Sequence, residues 1–412
     1  MIATTDTGAA EAMPAGKTMR AITIVGGGQA GLLLAIGLRQ AGHAVRLVQD
    51  RPAAAIAGGR VMSSQCMFAA ALAQERRLGL DLWARTAPRI QRVQVSEADP
   101  APRFGFTGRL RGAAASIDQR VKFPAWLSLF EQLGGVLEIR SAEVDDLERF
   151  ARDSELVVVA SGKGGLAALF PKNERFSPFS RPMRALSMVY LQGAAADAGC
   201  LRSIAVPGAG GIMRFPALTH SGACDILFFE AVPGGPLDVC RAGMTAEAQY
   251  DAMRQALAHL VPAEAEGLET ARPTDEGAHL AGQITPIVRH AVGRLPSGRA
   301  VLGLGDAVVL NDPLVGQGAN NATKLAALYL DSILGRDGLP LDEAWIEALA
   351  AAAWRLVRAA TLWTNLALLP PSAHVAGLLR AATMDQAVAD RFVHGFDDPD
   401  TLLPLLLPPQ AA

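Results

Sequence analysis

Metal-ligand and nucleophile signatures are missing from this chain. Its 7 histidines show no ligand spacing, and His220 and His290 read as structural. There is no HExxH, no GxSxG and no cysteine–histidine pair placed for nucleophilic catalysis, which leaves the common hydrolytic chemistries without a carrier. Only 4 cysteines occur, Cys66, Cys200, Cys224 and Cys240, and none forms a CxxC. That pattern suits a reduced, cytoplasmic protein better than a disulfide framework or a zinc site. An excess of one charge is absent too. The 38 basic and 40 acidic residues leave a net charge of −2, and the basic residues are scattered. A nucleic-acid surface is therefore excluded. Long apolar runs are scarce. The uncharged stretch 359–379 is long enough for a membrane span, but it carries Thr361, Thr364, Asn365, Pro370–Pro371, Ser372 and His374. It reads as a broken, buried helix pair. The opening "MIATTDTGAAEAMPAGKT" has no apolar run and is no secretory signal; residues 1–18 are expected to be a disordered extension.

What the chain does have is a core. Half of its 412 residues are hydrophobic and 19% are charged, enough for about two domains. From residue 19, "AITIVGGGQAG" reads as a buried strand entering a glycine turn, "LLLAIGLRQAGH" as the following helix, and 44–48 as a second strand. A further apolar strand is expected at 156–160. Between 179 and 290 short apolar runs alternate with Pro/Gly turns, which predicts a largely antiparallel sheet. "RAVLGLGDAVVL" returns to a buried strand, "GANNATKLAALYLDSIL" is an amphipathic helix, and the chain from 341 is Ala/Leu-rich and helical. The glycine unit at the start and the buried strand near 300 imply one discontinuous domain. The expected division assigns 19–80, 112–165 and 293–340 to it. A substrate domain takes 81–111 and 166–292, and a helical region takes 341–412.

The glycine turn has the form Gly26-x-Gly28-Gln29-Ala30-Gly31. Gly26 makes the turn, Gly28 admits a pyrophosphate to the backbone and Gly31 lets helix and strand pack closely. The helix N-terminus then offers its N–H groups to phosphate. A plain glycine turn satisfies the same spacing, and the motif does not choose between NAD and FAD. At the end of the second strand a ribose-binding acid is usual. Here Gln49 stands there, and Asp50 comes one residue later.

A second segment, "GLGDAVVLNDPLVGQGANNA", resembles one in the p-hydroxybenzoate hydroxylase-like flavoproteins. The resemblance implies an α/β fold: a Rossmann-type FAD-binding domain, an inserted antiparallel-sheet substrate domain and C-terminal helices. It implies that Asp306 holds the ribityl chain of FAD and that the turn through Pro313, Gly318, Ala319 and Asn320 faces the flavin ring. A carboxylate accepting hydroxyls and a helix N-terminus beside a reduced flavin are both physically apt. Two features of self-sufficient hydroxylases are missing. The position of their "DG" motif reads "VVVASGKGG", and no second GxGxxG follows a strand. Nor is there a W-x-W-x-I-P segment of the halogenase kind.

With "FSPFSRPMRAL" and "TLWTN", the chain resembles the oxygenase components of styrene and indole monooxygenases from about residue 19 into the C-terminal region. That implies FADH2 delivered by a separate NADH-dependent flavin reductase, reaction with O2 to a C4a-hydroperoxide, and epoxidation of an aromatic alkene. No catalytic side chain is implied. The family also lacks the acid after the second strand. Replacing a charge-assisted hydrogen bond by an amide weakens binding by about 1.5–3 kcal/mol, or roughly ten- to a hundredfold. A flavin that arrives from another protein must also be released.

The stretch "GGRVMSSQCMF" bears on substrate. As a strand it would put Val61, Ser63, Gln65 and Met67 on one face. The resemblance makes these pocket positions, and Ser63, Gln65 and Met67 match the indole-type subgroup, whereas styrene-type members carry Asn, Val and His. Ile90, Val93 and Ala114 match the indole-type set too, and Arg60 and Arg120 match basic positions near the cofactor. Gln65 or Ser63 could accept the indole N–H while Met67 packs on the ring. The same resemblance implies a homodimer. Two rival readings stay open: a single-component NAD(P)H-dependent aromatic hydroxylase, and a non-catalytic flavin-binding protein.

Overall fold

The computed structural model describes residues 18–99, 101–162, 165–194 and 199–408. Residues 1–17 of the expected extension lie outside them. "AITIV" is apolar on both faces, as a strand covered on both sides of a parallel sheet must be. It forms β1 (Ala21–Val25), with β2 (Ala44–Gln49) on one side and β7 (Leu156–Val159) on the other. β6 (Val136–Ile139) extends the sheet beyond β2, and β16 (Ala300–Gly303) beyond β7, all parallel. The edge strand β15 (Val292–Arg294) runs antiparallel to β16. Segments far apart in sequence thus meet in one sheet.

The helix α1 (Gln29–Gln40) is buried along nearly its whole length and packs against α4 (Gln119–Gln132) and α8 (Gly318–Leu334). The approach of α1 and α8 is close. A Cβ at Gly37 would lie 2.4 Å from Leu330 Cδ2, so an alanine there would force the Leu330 side chain to shift. Of two short helices, α2 (Ala53–Ala57) packs on α4 and α5 (Val144–Asp153) on β7.

The second sheet runs in the order β12 (Arg272–Pro273), β8 (Ala185–Gln192), β11 (Gly222–Ala231), β10 (Gly210–Thr219), β9 (Cys200–Val206), β4 (Ile90–Glu97), β5 (Gly105–Ser116) and β3 (Cys66–Met67). β13 (His279–Gln283) also pairs with β8. The sheet is antiparallel except for the parallel pair β4–β9. A small ladder joins β14 (Ile287–Val288) to β17 (Val309–Leu310). Because β3 pairs with β5, residues 66–67 go with the second sheet and not with the first. Alternation along β11 serves two cores. Ile226 and Phe228 face the cluster that holds Val61, Ile90 and Trp363, while Leu227, Phe229 and Ala231 face α6 (Ala246–Leu260).

The remaining helices are α3 (Ala69–Arg77), α7 (Pro262–Ala265), α9 (Glu343–Ala367), α10 (Ala373–Met384), α11 (Gln386–His394) and α12 (Pro399–Leu406). Among the described residues no helix is long and apolar enough to cross a membrane. The "TLWTN" segment ends α9 as packing: Trp363 meets Phe396 edge-on at 4.9 Å, and the Thr361 and Thr364 hydroxyls donate to Val357 and Ala360 carbonyls.

Candidate functional site

The carboxyl ends of the parallel strands β1, β7 and β16 converge on two glycine turns. Gly26 has φ +116°, and a Cβ there would lie 2.6 Å from Ser161 N, so β1 and β7 end in backbone contact. A Cβ at Gly31 would lie 1.9 Å from Gly26 O; only glycine lets α1 begin this close to its strand. Gly28 is the N-cap of α1 and contributes no side-chain cap, and a Cβ at Gly28 would meet nothing within 4 Å. Ala30 lies beneath the second turn, 3.4 Å from where a Cβ of Gly305 would stand.

That second turn leaves β16 through Asp306, which is exposed, and Gly162 packs directly on it: a Cβ at Gly162 would lie 2.7 Å from Asp306 Cβ. Pro313 follows Asp312, whose carboxylate accepts the Leu314 N–H at 3.1 Å. Gly316 takes φ +65°, and α8 then begins at Gly318 with no side-chain cap and open space where a Gly318 Cβ would be. Two uncapped helix N-termini, each opening on a glycine, therefore lie at one end of the sheet. They supply backbone N–H donors and positive partial charge, which suits an anionic dinucleotide with an electron-rich ring. The residues present fit FAD.

Gln49 ends β2 against the first turn. A Cβ at Gly27 would lie 1.8 Å from Gln49 Oε1, and Gln49 Nε2 donates to Arg51 O at 2.5 Å. The amide thus covers the place where a ribose acid would stand, and Asp50 is exposed beside Arg51. Arg60 is exposed. Arg120 is a different case from the one its position suggests. It is buried, and its guanidinium donates to Asp118, Asp275, Thr219 and Gly59 O. Burial opposes its charge, but the hydrogen bonds to Asp275 and Asp118 outweigh that and hold its pKa above the ordinary value. With its donors satisfied by protein, Arg120 ties α4 to the loop before β13 and does not reach toward a cofactor. Gln29, likewise, has its side chain turned into the core, so only its backbone can serve a phosphate.

The expected strand over 61–67 is not there. Only Cys66 and Met67 pair, with Ser116 and Ala115, and Gln65 sits at φ +40°. The backbone before it is held by partners outside any ladder. Val61 N–H donates to Gly277 O, Ser63 O accepts the Tyr190 hydroxyl, and Ser64 O accepts the Ser116 hydroxyl. The side chains consequently divide. Val61, Ile90, Val93 and Ala114 share the core cluster under the second sheet, whereas Met67 packs in a separate one with Ala115, Ile117 and the half-buried Ala319 of the second turn. Asn320 bridges the two regions: its Oδ1 accepts Phe68 N–H, and its Nδ2 donates to Cys66 O and Gly316 O. The sequence signal for this clamp was present, an Asn in the first turn of α8, but nothing in it named the partner. Cys66 is no nucleophile, since burial pushes its thiol up to about 12. Among the described residues no group of three or more His, Cys, Asp or Glu could hold a metal.

Residues 162–267 match the family described as "Styrene monooxygenase A putative substrate binding domain". Styrene monooxygenase StyA from Pseudomonas sp. is 28% identical over 393 residues, 92% of this chain and 93% of that protein. The StyA of Pseudomonas fluorescens is 28% identical over 395 residues, with the same coverage. The chain is thus similar to styrene monooxygenases along nearly its whole length. Solved structures at low identity share its fold. The myxobacterial chondrochloren halogenase CndH, an FAD-dependent halogenase, superposes with a TM-score of 0.63 at 14% identity, over 94% of this chain and 96% of that one. The 2-methyl-3-hydroxypyridine-5-carboxylic acid oxygenase gives 0.56 at 15% identity, over 94% and 96%.

One electrostatic feature of the chain adjoins the second turn. Burial pushes the Asp312 carboxyl up to about 6, and burial with Asp312 nearby pushes Glu230 well above the usual carboxylate range. Asp312 Oδ2 and Glu230 Oε1 have no protein partner. A carboxyl whose pKa is raised on folding stabilises the fold below its unfolded value and loses that contribution as pH rises through the folded value. Going from 3.8 to about 6 corresponds to about 3 kcal/mol. Asp312→Asn keeps the Oδ1 cap and cannot ionise. Flavin-free Asp312→Asn protein should therefore be more stable than the parent at pH 8 by up to about 3 kcal/mol, with little difference at pH 4. Denaturant unfolding at both pH values checks this; an equal difference at both would remove Asp312 as the cause.

Proposed function

We propose that this chain is the oxygenase component of a two-component FAD-dependent monooxygenase. In this reading it epoxidises the C2=C3 bond of indole, also accepts styrene-like vinyl aromatics, and leads to indoxyl and indigo. Similarity to the styrene monooxygenases supports the enzyme class; the observation that supports indole is Gln65, whose Oε1 is buried and has no protein partner. Reduced FAD, when bound, supplies the O2 activation: one oxygen atom goes to the alkene and the other leaves as water. The chain's residues bind, orient and shield. Backbone N–H groups at Gly28–Gly31 hold the pyrophosphate, Asp306 accepts ribityl hydroxyls, and the Gly318–Asn320 turn stabilises negative charge on the ring. The apolar wall of Val61, Ile90, Val93 and Ala114 excludes water. Gln65 orients the substrate through its N–H, with Ser63 and Met67 beside it. The partner is a flavin reductase, and the protein works as a cytoplasmic homodimer.

Competitive turnover of indole and styrene, with FADH2 supplied by one common reductase, tests the substrate. A site that pairs with an N–H leaves its acceptor unpaired on an analogue that lacks one. The parent should favour indole by about tenfold or more. The triple exchange Ser63→Asn, Gln65→Val, Met67→His should narrow that gap. A parent that prefers styrene, or a ratio untouched by the exchange, would remove the case for indole.

A further inference from the structure

Behind the first glycine turn lies an ion pair that meets the glycine motif through the side chain of Gln29. Lys122 on α4 and Glu75 on α3 are 0% and 1% exposed, with Nζ 2.7 Å from Oε1. A buried ion pair is weak as a stabiliser, because desolvation consumes most of the attraction, and fixing a unique arrangement is its better-attested use. Gln29 lies against both charges. Its Nε2 donates to Glu75 Oε1 and to Thr323 Oγ1, each at 2.8 Å, and its Oε1 faces Lys122 Nζ at 3.5 Å. A carboxylate only accepts and an ammonium only donates. The pair therefore dictates which way round the Gln29 amide sits.

Gln65 is next in line. Its Nε2 donates to Gln29 Oε1 at 3.5 Å, while its own Oε1 is buried with no partner. It is also the one non-glycine residue at positive φ among the described residues. A left-handed conformation is costly for a side-chain-bearing residue and is kept where the surroundings over-determine it. With its N–H group drawn to Gln29, the amide must present its oxygen the other way.

We infer that the Lys122–Glu75 pair is a positioning device for substrate selection, acting through Gln29 to hold the Gln65 amide with its oxygen free for the N–H of a heteroaromatic substrate. This rests on the indole reading above. If the relay is undone, the Gln65 amide is free to turn, and a donor then meets the substrate N–H.

The test compares indole with indene, which keeps the bicyclic shape and the reacting double bond but has CH2 in place of N–H. Both are turned over in one mixture, so the ratio does not depend on how much protein is active. The parent should favour indole by about tenfold or more. Glu75→Gln combined with Lys122→Met removes both charges together and leaves neither unpaired. Gln at 75 can donate as well as accept, so Gln29 loses its fixed orientation. The ratio should fall to near unity, with the loss confined to kcat/KM for indole and kcat/KM for indene retained. Gln29→Met, which keeps the ion pair and the backbone amide, should give the same collapse should the double variant fold poorly. Gln65→Met should collapse the ratio as well. Reduced-FAD affinity, measured by anaerobic titration, should be the same in the parent and in the Glu75→Gln, Lys122→Met double variant. If the parent prefers indole and Gln65→Met loses that preference while both relay variants keep it, the relay is wrong and the indole reading stands. If the parent does not distinguish indole from indene, the indole reading fails and the relay fails with it.

Discussion

Asp306→Ala is expected to weaken binding of reduced FAD about a hundredfold or more while leaving the fold in place. A carboxylate that accepts hydroxyl hydrogen bonds contributes about 1.5–3 kcal/mol for each, and two on a polyol chain exceed the 2.7 kcal/mol or so that corresponds to a hundredfold. Alanine retains the Cβ that packs on Gly162, and the residue is exposed at a turn, so the core has little reason to respond. Anaerobic titration with reduced FAD gives the affinity, and thermal unfolding of the flavin-free protein gives the control. Unchanged affinity would mean that the second glycine turn has been assigned to the wrong part of the cofactor.

The second large effect concerns electrons. Supplied with NADH and no reductase, the purified protein should oxygenate nothing above background, and any added flavin reductase should restore turnover. The chain has one GxGxxG, and the position of the hydroxylase "DG" motif reads Ser161–Gly162. Both residues are committed locally, Ser161 in contact with Gly26 and Gly162 with Asp306. Gln49 in place of a ribose acid fits the same account, because an amide grips less tightly and a shuttled flavin has to leave. Steady turnover with NADH alone would contradict it.

The parts of this protein legible in the sequence were those with a period or a forced conformation. "AITIVGGGQAG" reads as strand, turn and helix because apolar runs and glycines carry that information locally. α8 was legible over its full length for the same reason. The segment around Ser63 to Met67 was not. Val61, Ser63, Gln65 and Met67 satisfy a period of two, but their backbone is held by Gly277, Tyr190 and Ser116, each far away in sequence. The surroundings of Arg120 are not legible from its position alone. Its role depends on Asp118 beside it and on Asp275, which only the fold brings near. The buried Lys122–Glu75 pair gave no signal at all, since a lysine and a glutamate in helices look like surface residues until both are found inside.

The most direct measurement is a single turnover without any reductase. The protein is loaded anaerobically with one equivalent of chemically reduced FAD and with indole, and is then mixed with O2 in the absence of NADH. The account predicts oxygenated indole, recovered as indoxyl and indigo, approaching one product per bound flavin. Oxidised FAD and hydrogen peroxide with no oxygenated product would contradict it.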